Sequence, residues 1–465
     1  GSVMFGKIKK VHFVGIGGIG MSGIAELLLN LGFNVTGSDL SPSEITRGLK
    51  QKGAVIFEGH GYDNINDCDV LVYSSAVSMD NPEVQAAKDC GVPIIRRAEM
   101  LGELLKLKAT SIAIGGTHGK TTTTSMMGAV LTAAGLDPTI VVGGVVKSLD
   151  ANALLGSGDV IVVEADEFDK SFLQLSPTHS VITNIDSDHM DCYDNRDDLL
   201  GAFTQFANAV PFYSTVVACT DEPLVKKILP DISRPVISYG FTEDADFRAE
   251  QMEYCEIHTD FVVKHKDDEL GSIHLQVPGA HNVKNALAVI GLGLELDIDF
   301  KTIREGLKSF SGVRRRFEIK GIFNDIMVVD DYAHHPTEVS ATLKAVKNGW
   351  ERRLVCVFQP HLYTRTRDFY EDFARAFLIS DVLIVTDVYP AREEPIEGIS
   401  GELIINAAKS MGHKDVHWVE EKKSVVAALR ALVNEGDFVV TMGAGDIWRM
   451  GDEYVSVLQG EKIEV

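Results

Sequence analysis

The chain has little of what marks several large protein classes. Its 465 residues include only six cysteines, Cys68, Cys90, Cys192, Cys219, Cys255 and Cys356, with no Cys-x-x-Cys pair among them. That spacing excludes a disulfide-dense secreted scaffold and a zinc knuckle, and it suits free thiols in a reducing cytoplasm. No run approaches the roughly 20 apolar residues of a membrane-spanning helix. Gly1 to Phe5 carry no long apolar core, so no secretion signal is expected. Basic residues are scarce: 44 Lys and Arg stand against 67 Asp and Glu, a formal net charge of −23. A nucleic-acid partner is therefore disfavoured, because a phosphate polymer would be repelled by the whole surface. Small anionic ligands, held by local loops and a few arginines, remain compatible. Low-complexity tracts and short solenoid repeats are also absent.

What is present is strand–helix alternation, three times over. Lys10 to Val14, Asn34 to Thr36 and Asp69 to Tyr73 read as strands, with a helix over Met21 to Asn30. Polarity rises around Lys106-Leu107-Lys108, and a fresh strand begins at Ser111 to Ile114. The middle segment adds strands at Val160 to Val163 and Ser180 to Thr183, and short strand-like runs between about 215 and 280 predict some appended antiparallel sheet. The last segment restarts the pattern at Leu354 to Phe358, Val382 to Thr386 and Phe438 to Met442. An α/β protein with mostly parallel sheets is expected. Its length suits three domains: a Rossmann-like domain over 1–106, a P-loop ATPase-like domain over 107–314, and a second Rossmann-like domain over 315–465.

Two glycine loops carry the first chemical signals. Gly15-Ile16-Gly17-Gly18-Ile19-Gly20 follows a strand, opens a helix, and is followed by Asp39 at the distance expected of an acidic ribose partner. Gly15 permits the turn, Gly17 lets backbone N–H groups approach a pyrophosphate, and the helix start favours negative charge. Alone, the loop fits NAD, FAD or another ribose diphosphate, or a bare tight turn. The second loop, Gly115-Gly116-Thr117-His118-Gly119-Lys120-Thr121-Thr122, also lies between a strand and a helix. Its backbone can cradle phosphates, Lys120 can pair with β- and γ-oxygens, and Thr121 can hold Mg²⁺. Ile114 stands where the strict phosphate-loop pattern has its first Gly. Glu164, just past an apolar strand, occupies the place of a metal-supporting carboxylate, while Asp166, Glu167 and Asp169 read equally as a solvated acidic loop. His189, in a polar loop after a third strand, is open to two readings, second-metal ligand or structural histidine.

Gly116 to Thr123, Glu164-Ala165-Asp166-Glu167, Thr183-Asn184-Ile185-x-x-Asp188-His189 and His281-Asn282-Val283-Lys284-Asn285-Ala286 together resemble the Mur ligase family. The opening Gly15 to Gly23, Asp330 to Glu338 and Gln359 to Arg367 look like those of the members that join L-alanine to UDP-N-acetylmuramate. The resemblance spans nearly the whole chain. It implies three domains, the first for the UDP-sugar, the second for ATP, and a third that closes over both and carries the amino acid. It thereby reassigns the first glycine loop to UDP. Gly17, Gly18, Ile19 and Ser22 are then expected at the diphosphate, Asp39 and His60 at the uridine, and Ser75 and Arg97 beside the sugar. For His60, a surface residue in a Gly-His-Gly turn is an equal reading.

The resemblance also implies that Gly116, Thr117, His118, Gly119, Lys120, Thr121 and Thr122 hold the ATP phosphates. Thr121 and Glu164 would serve one Mg²⁺ and His189 a second. His281, Asn282 and Asn285 would approach adenine or ribose, Arg315 and Arg316 the phosphates, and Asp331 the ATP ribose. Tyr332, His334, His361 and Arg365 would surround alanine, an arginine suiting its carboxylate. The expected catalytic group is Lys120, Glu164, His189, His334, His361 and Arg365, with no nucleic-acid or membrane partner and a monomer or homodimer. Two positions depart from the family pattern: Leu362 replaces the Arg of Gln-Pro-His-Arg-Tyr, and Phe168 the Ser of Glu-Ala-Asp-Glu-Ser-Asp. Asn184 to Val210 contains no lysine, as in alanine-adding members, although several sister ligases carry a carbamylated one. The competing readings are a recycling ligase that adds a tripeptide to the same UDP-sugar, a nicotinamide dehydrogenase fused to a phosphate-loop module, and a nucleotide sensor without chemistry.

Overall fold

Short apolar strands flanked by helices build three separate sheets in the computed structural model, which describes residues 5–74, 76–146, 151–187 and 193–463. Ser75 and His189 lie outside the described residues. The first sheet holds β1 (Lys10–Val14), β2 (Asn34–Asp39), β3 (Val55–Glu58), β4 (Val70–Tyr73) and β5 (Ile94–Arg96) in the order β3-β2-β1-β4-β5. All its pairings are parallel. Val11 to Val14 of β1 are fully buried, as a strand covered on both faces requires. The helices are α1 (Ile19–Asn30), α2 (Glu44–Gln51), α3 (Pro82–Asp89) and α4 (Arg97–Leu105). Strand order reverses between β1 and β4, which opens a crevice at the carboxyl ends of these strands.

The central sheet comprises β6 (Thr110–Gly115), β7 (Thr139–Val146), β8 (Ala151–Leu154), β9 (Val160–Glu164), β10 (His179–Ile182), β11 (Val216–Cys219), β12 (Val236–Gly240), β13 (Phe247–Cys255), β14 (His258–His265) and β15 (Asp268–Leu275). Their order is β15-β14-β13-β12-β11-β10-β6-β9-β7-β8, so β6 is an interior strand between β10 and β9. Its helices are α5 (Lys120–Ala133), α6 (Arg196–Asn208), α7 (Pro223–Ile228), α8 (Ala280–Glu295) and α9 (Phe300–Ser309). The expected antiparallel appendage is β13–β15, joined by two-residue turns in which Glu256 (φ +53°) and Lys266 (φ +54°) take the left-handed conformation of tight hairpins.

The third sheet runs β16-β17-β21-β18-β19-β20, formed by β16 (Glu318–Phe323), β17 (Ile326–Asp331), β18 (Leu354–Phe358), β19 (Val382–Val385), β20 (Val416–Trp418) and β21 (Phe438–Met442). Only the β16 edge is antiparallel. Around it lie α10 (Pro336–Gly349), α11 (Tyr363–Phe377), α12 (Glu402–Ser410), α13 (Val425–Leu432) and α14 (Trp448–Ile463).

By contact density the chain divides into two compact units, Gly1–Gln251 with Phe261–Ile273 and Lys284–Phe310, and Met252–Asp260 with His274–Val283 and Ser311–Val465. The first sheet and β6–β12 of the central one thus share one unit. Leu27 of α1 joins Val141 of β7 and Ala153 of β8 in a single apolar cluster. Gly102 of α4 comes so near Gln174 that a Cβ there would stand 2.6 Å from its carbonyl oxygen. Among the described residues no helix is long and apolar enough to cross a membrane.

Candidate active site

At the end of β1, Gly15 (φ +77°) turns the chain, and the N–H groups of Gly15 and Ile16 donate to the Ser38 carbonyl at 2.8 and 3.0 Å. Gly18, in extended conformation, leads into α1. The Gly17 N–H donates to Asp39 Oδ2 at 2.8 Å, and a Cβ on Gly17 would lie 2.6 Å from that oxygen. The Arg97 side chain packs on Gly20, within 3.4 Å of where a Cβ would be, and Ser22 is buried in α1. Gly17, Gly18, Asp39 and Arg97 are therefore gathered around one helix start. His60 adjoins them, since the Gly59 N–H donates to the Asp39 carbonyl at 2.7 Å.

Beneath this loop lies a network that sequence reasoning overlooked. Glu83 of α3 and His12 of β1 are both fully buried and hydrogen-bonded to each other. Glu83 also receives Ser38 Oγ at 2.8 Å, the Gly61 N–H at 3.1 Å and Asn64 Nδ2 at 3.2 Å, with His60 Nδ1 3.2 Å away. Burial is the strongest influence on this carboxyl and would raise its pKa. The bonds from His12, Ser38 and Asn64 outweigh it, and the pKa is lowered. The residue was hidden because Asn81-Pro82-Glu83 reads fully as helix-start chemistry: Asn81 caps α3, Pro82 is its first residue, and an acid follows in the first turn.

The second loop leaves β6 through Gly116 (φ +135°) and enters α5 through Gly119 (φ +83°). Loop and neighbouring strand end are tied together by three bonds. The His118 N–H donates to Asn184 Oδ1 at 2.7 Å, Thr183 Oγ1 to the His118 carbonyl at 2.7 Å, and the Asp186 N–H to Thr117 Oγ1 at 2.9 Å. The His118 ring stands 3.2 Å from the Asp186 carboxylate. Lys120 Nζ lies 2.6 Å from Glu167 and 2.9 Å from the Gly116 carbonyl, and Thr121 Oγ1 is hydrogen-bonded to Glu164. Burial works against the Lys120 charge, but Glu167, Asp166 and Glu164 hold its pKa above the ordinary value. Glu167 is thus no solvated acid. No group of three or more His, Cys, Asp or Glu among the described residues forms a metal site by itself. Thr121 and Glu164 nevertheless bring together a hydroxyl and a carboxylate, the two oxygen types that phosphate-loop enzymes offer to Mg²⁺.

Asn285 reaches this loop from α8, its Oδ1 2.9 Å from where a Gly119 Cβ would stand. On the first turn of that helix, Asn282 Nδ2 donates to the Pro278 carbonyl at 2.9 Å, and the His281 ring packs on Gly279. Lys284 pairs with Asp221 at 3.3 Å, and Asp221 also accepts the Phe241 N–H at 2.7 Å.

In the other unit, α10 starts at Pro336 with Glu338 accepting the N–H groups of His334 and His335, each at 3.2 Å. The His334 and His361 rings meet edge to face at 5.9 Å, His361 stacks on Tyr389, and Arg365 reaches His361 Nδ1 at 3.0 Å. Burial, with Arg365 and other cations close by, lowers both imidazoles to about 4. Tyr332 packs against His334 and lies under the Arg316 guanidinium, 5.0 Å from it. Tyr332, His334, His361 and Arg365 are thus one cluster. Leu362, between two of its members, has φ +72°.

Arg315 and Asp331 are engaged within their own sheet. Arg315 bonds Asp330 at 3.0 Å and the carbonyls of Gly443 and Gly445 at 2.9 and 3.3 Å. Asp331 accepts the N–H groups of Ala333 at 2.7 Å and Phe317 at 3.0 Å. Burial raises its carboxyl to about 6, with Arg316 opposing. Arg316 itself reaches Glu338 at 3.7 Å. The Gly443–Asp446 loop, which has no role assignable from sequence, is held by Arg315 and by Gln359, whose Nε2 donates to Asp446 at 2.9 Å.

Comparison with known proteins covers all three sheets. Residues 10–109 match the model of the Mur ligase family, catalytic domain, residues 114–293 the Mur ligase middle domain, and residues 315–445 the Mur ligase, glutamate ligase domain. The UDP-N-acetylmuramate–L-alanine ligase of Geotalea uraniireducens is 52% identical over 98% of this chain and 100% of its own length. That of Salinibacter ruber is 50% identical over 98% and 96%. Among solved structures, the UDP-N-acetylmuramate-alanine ligase of Thermotoga maritima superposes with a TM-score of 0.84 at 33% identity, covering 97% of this chain and 99% of that one. A murein peptide ligase from Psychrobacter arcticus shares the fold, with a TM-score of 0.71 at 24% identity over 97% and 98%.

Proposed function

The chain belongs to the Mur ligase family, and from that premise we propose that it joins L-alanine to the carboxylate of UDP-N-acetylmuramate at the expense of ATP. The observation that carries this reading is end-to-end identity of about half with ligases of that name, combined with a phosphate loop whose lysine and threonine already face carboxylates. The reaction belongs to the synthesis of peptidoglycan precursors in the cytoplasm, a setting that the six scattered cysteines suit.

A carboxylate does not accept an amine at neutral pH without activation. In the first step a muramyl carboxylate oxygen attacks the γ-phosphorus of ATP, the bond to the β-phosphate oxygen breaks, and an acyl phosphate and ADP result. In the second, the neutral alanine amine attacks the acyl carbon, and phosphate leaves as the amide forms. The Gly116–Thr122 backbone cradles the ATP phosphates. Lys120 exchanges its partner Glu167 for the transferring phosphoryl group and neutralises charge on it. Thr121 and Glu164 would hold Mg²⁺, which would supply further charge neutralisation. Asn285 sets the Gly119 end of the loop. Gly17, Gly18 and Ser22 bind the UDP diphosphate, Asp39 and His60 the uridine, and Arg97 the sugar side. Tyr332, His334, His361 and Arg365 receive alanine, with Arg365 on its carboxylate. Orientation of the reactants supplies effective molarities of about 10⁵ M or more.

The test is phosphate release from ATP and Mg²⁺ with UDP-N-acetylmuramate, with and without L-alanine, followed by product mass. Release that requires both substrates, with a product heavier by one alanyl residue, is the expected outcome. Release with a tripeptide but not with alanine would move the activity to recycling.

A further inference from the structure

The Glu83 network determines where one proton sits. The Gly61 N–H and the Asn64 amide donate to Glu83 Oε2 and the Ser38 hydroxyl to Oε1, and with His12 these bonds hold the carboxyl below its ordinary range, so Glu83 is ionised. His12 then donates to it through Nε2–H, and its Nδ1 lies 2.6 Å from Thr36 Oγ1. His60 presents Nδ1 to the same carboxylate, at 3.2 Å from Oε2, and to Ser38 Oγ at 2.8 Å. Ser38 gives its own proton to Glu83 Oε1 at 2.8 Å and can therefore only accept from His60. The His60 proton is thus on Nδ1, and in the neutral ring Nε2 is an acceptor. The same carboxylate orders the loop that carries His60: it holds Gly61 and Asn64, and Asn64 in turn donates to the Gly59 carbonyl at 3.1 Å.

We infer that Glu83 is a positioning residue for nucleobase selection: through Ser38 it locks His60 in the tautomer whose Nε2 accepts, which favours a base with an imide N–H, uracil, over cytosine, whose ring nitrogen at that position is itself an acceptor. The inference rests on the proposed assignment of the first glycine loop and His60 to the UDP moiety. It also accounts for a buried charge at this place. An ionised carboxylate with no exposure is costly to maintain, and five polar groups from β1, β2 and the 59–64 loop converge on it beside the ligand crevice.

The experiment measures dissociation constants for UDP, CDP and UDP-N-acetylmuramate, and separately for ATP, in the full chain and in Glu83→Gln, Ser38→Ala, His60→Ala and the double variant Glu83→Gln/His60→Ala. The wild type should prefer UDP to CDP. Glu83→Gln should weaken UDP about tenfold, the loss of one good hydrogen bond in affinity terms, narrow the UDP/CDP ratio, and leave ATP unchanged. Ser38→Ala should act in the same direction, and it carries the test if Glu83→Gln fails to fold. In the double variant the losses should not add, because Glu83 acts through His60. Histidine-selective ¹⁵N labelling should show His60 with its proton on Nδ1 in the wild type. A proton on Nε2 overturns the inference, as does a folded Glu83→Gln or Ser38→Ala protein with unchanged UDP affinity and UDP/CDP ratio while His60→Ala is impaired. If the wild type binds ATP but no UDP ligand, the assignment of the glycine loop falls as well, and that outcome is distinct from the others.

Discussion

The ammonium of Lys120 lies 2.6 Å from the Glu167 carboxylate, so the central lysine of the phosphate loop has an acidic partner of its own. Surrounding acids keep it protonated, and a γ-phosphate has only to displace one anion with another. Lys120→Ala should therefore lower the rate of phosphate release by ~10²–10³, the range found on removing one donor from a developing charge. UDP-N-acetylmuramate binding, assigned to a different sheet, should persist. Steady-state rates and calorimetry check both parts. A loss below tenfold would show that Lys120 does not act on the transferring group.

Gly116 makes a second prediction. A Cβ at this residue would lie 1.9 Å from Thr183 Oγ1, and its φ of +135° strains any other residue. Thr183 cannot move aside cheaply, because its hydroxyl holds the His118 carbonyl. Gly116→Ala should lower the melting temperature by several degrees, roughly what 1–3 kcal/mol of strain implies, and should abolish ATP binding. A variant that binds ATP normally would mean that the loop tolerates another path.

The three sheets were legible because apolar strands and helix signals alternate cleanly, and Gly116 to Thr122 was legible because backbone conformation dictates glycine there. Partnerships between distant residues were not. Glu167 reads as one more acid in an acidic loop, and only its place opposite Lys120 distinguishes it. Glu83 reads as a helix-start acid, and its second role depends on His12 and Ser38 from other strands. Arg315 belongs to a basic run, and nothing in that run reveals its bonds to Asp330 and the Gly443 and Gly445 carbonyls. Short-range patterns encode local structure. The destination of a long polar side chain is set by packing, which one-dimensional spacing does not reveal.

Glu164 accepts the Thr121 hydroxyl, and these two oxygens are the proposed Mg²⁺ donors. Glu164→Gln should raise the Mg²⁺ concentration for half-maximal phosphate release at least ~10-fold, since even outer partners of metal ligands cost 10–100-fold on removal. Activity should recover in part at high Mg²⁺. A magnesium titration at fixed ATP measures this, and an unchanged midpoint would remove Glu164 from the metal site.

His334 and His361 make the final prediction, one of sign. Burial and the nearby Arg365 lower both rings to about 4 from an ordinary 6.5. In the unfolded chain they bind protons near 6.5, so between about 4 and 6.5 the unfolded state holds more protons than the folded one. Stability from these groups is therefore complete above pH 6.5 and is lost as pH falls toward 4. At ~1.4 kcal/mol per pKa unit the loss is roughly 2–3 kcal/mol for His334, and less for the more exposed His361. Asp331, raised to about 6, acts in the opposite direction and blunts the fall. Denaturant melts across this window should show lower stability at pH 4.5 than at 7, and His334→Asn should flatten the slope. Both rings stay neutral in turnover at pH 6–8, so the KM for alanine should show no acid limb near 6.5. Such a limb would mean that a histidine of ordinary pKa binds the amino acid, and that this cluster does not.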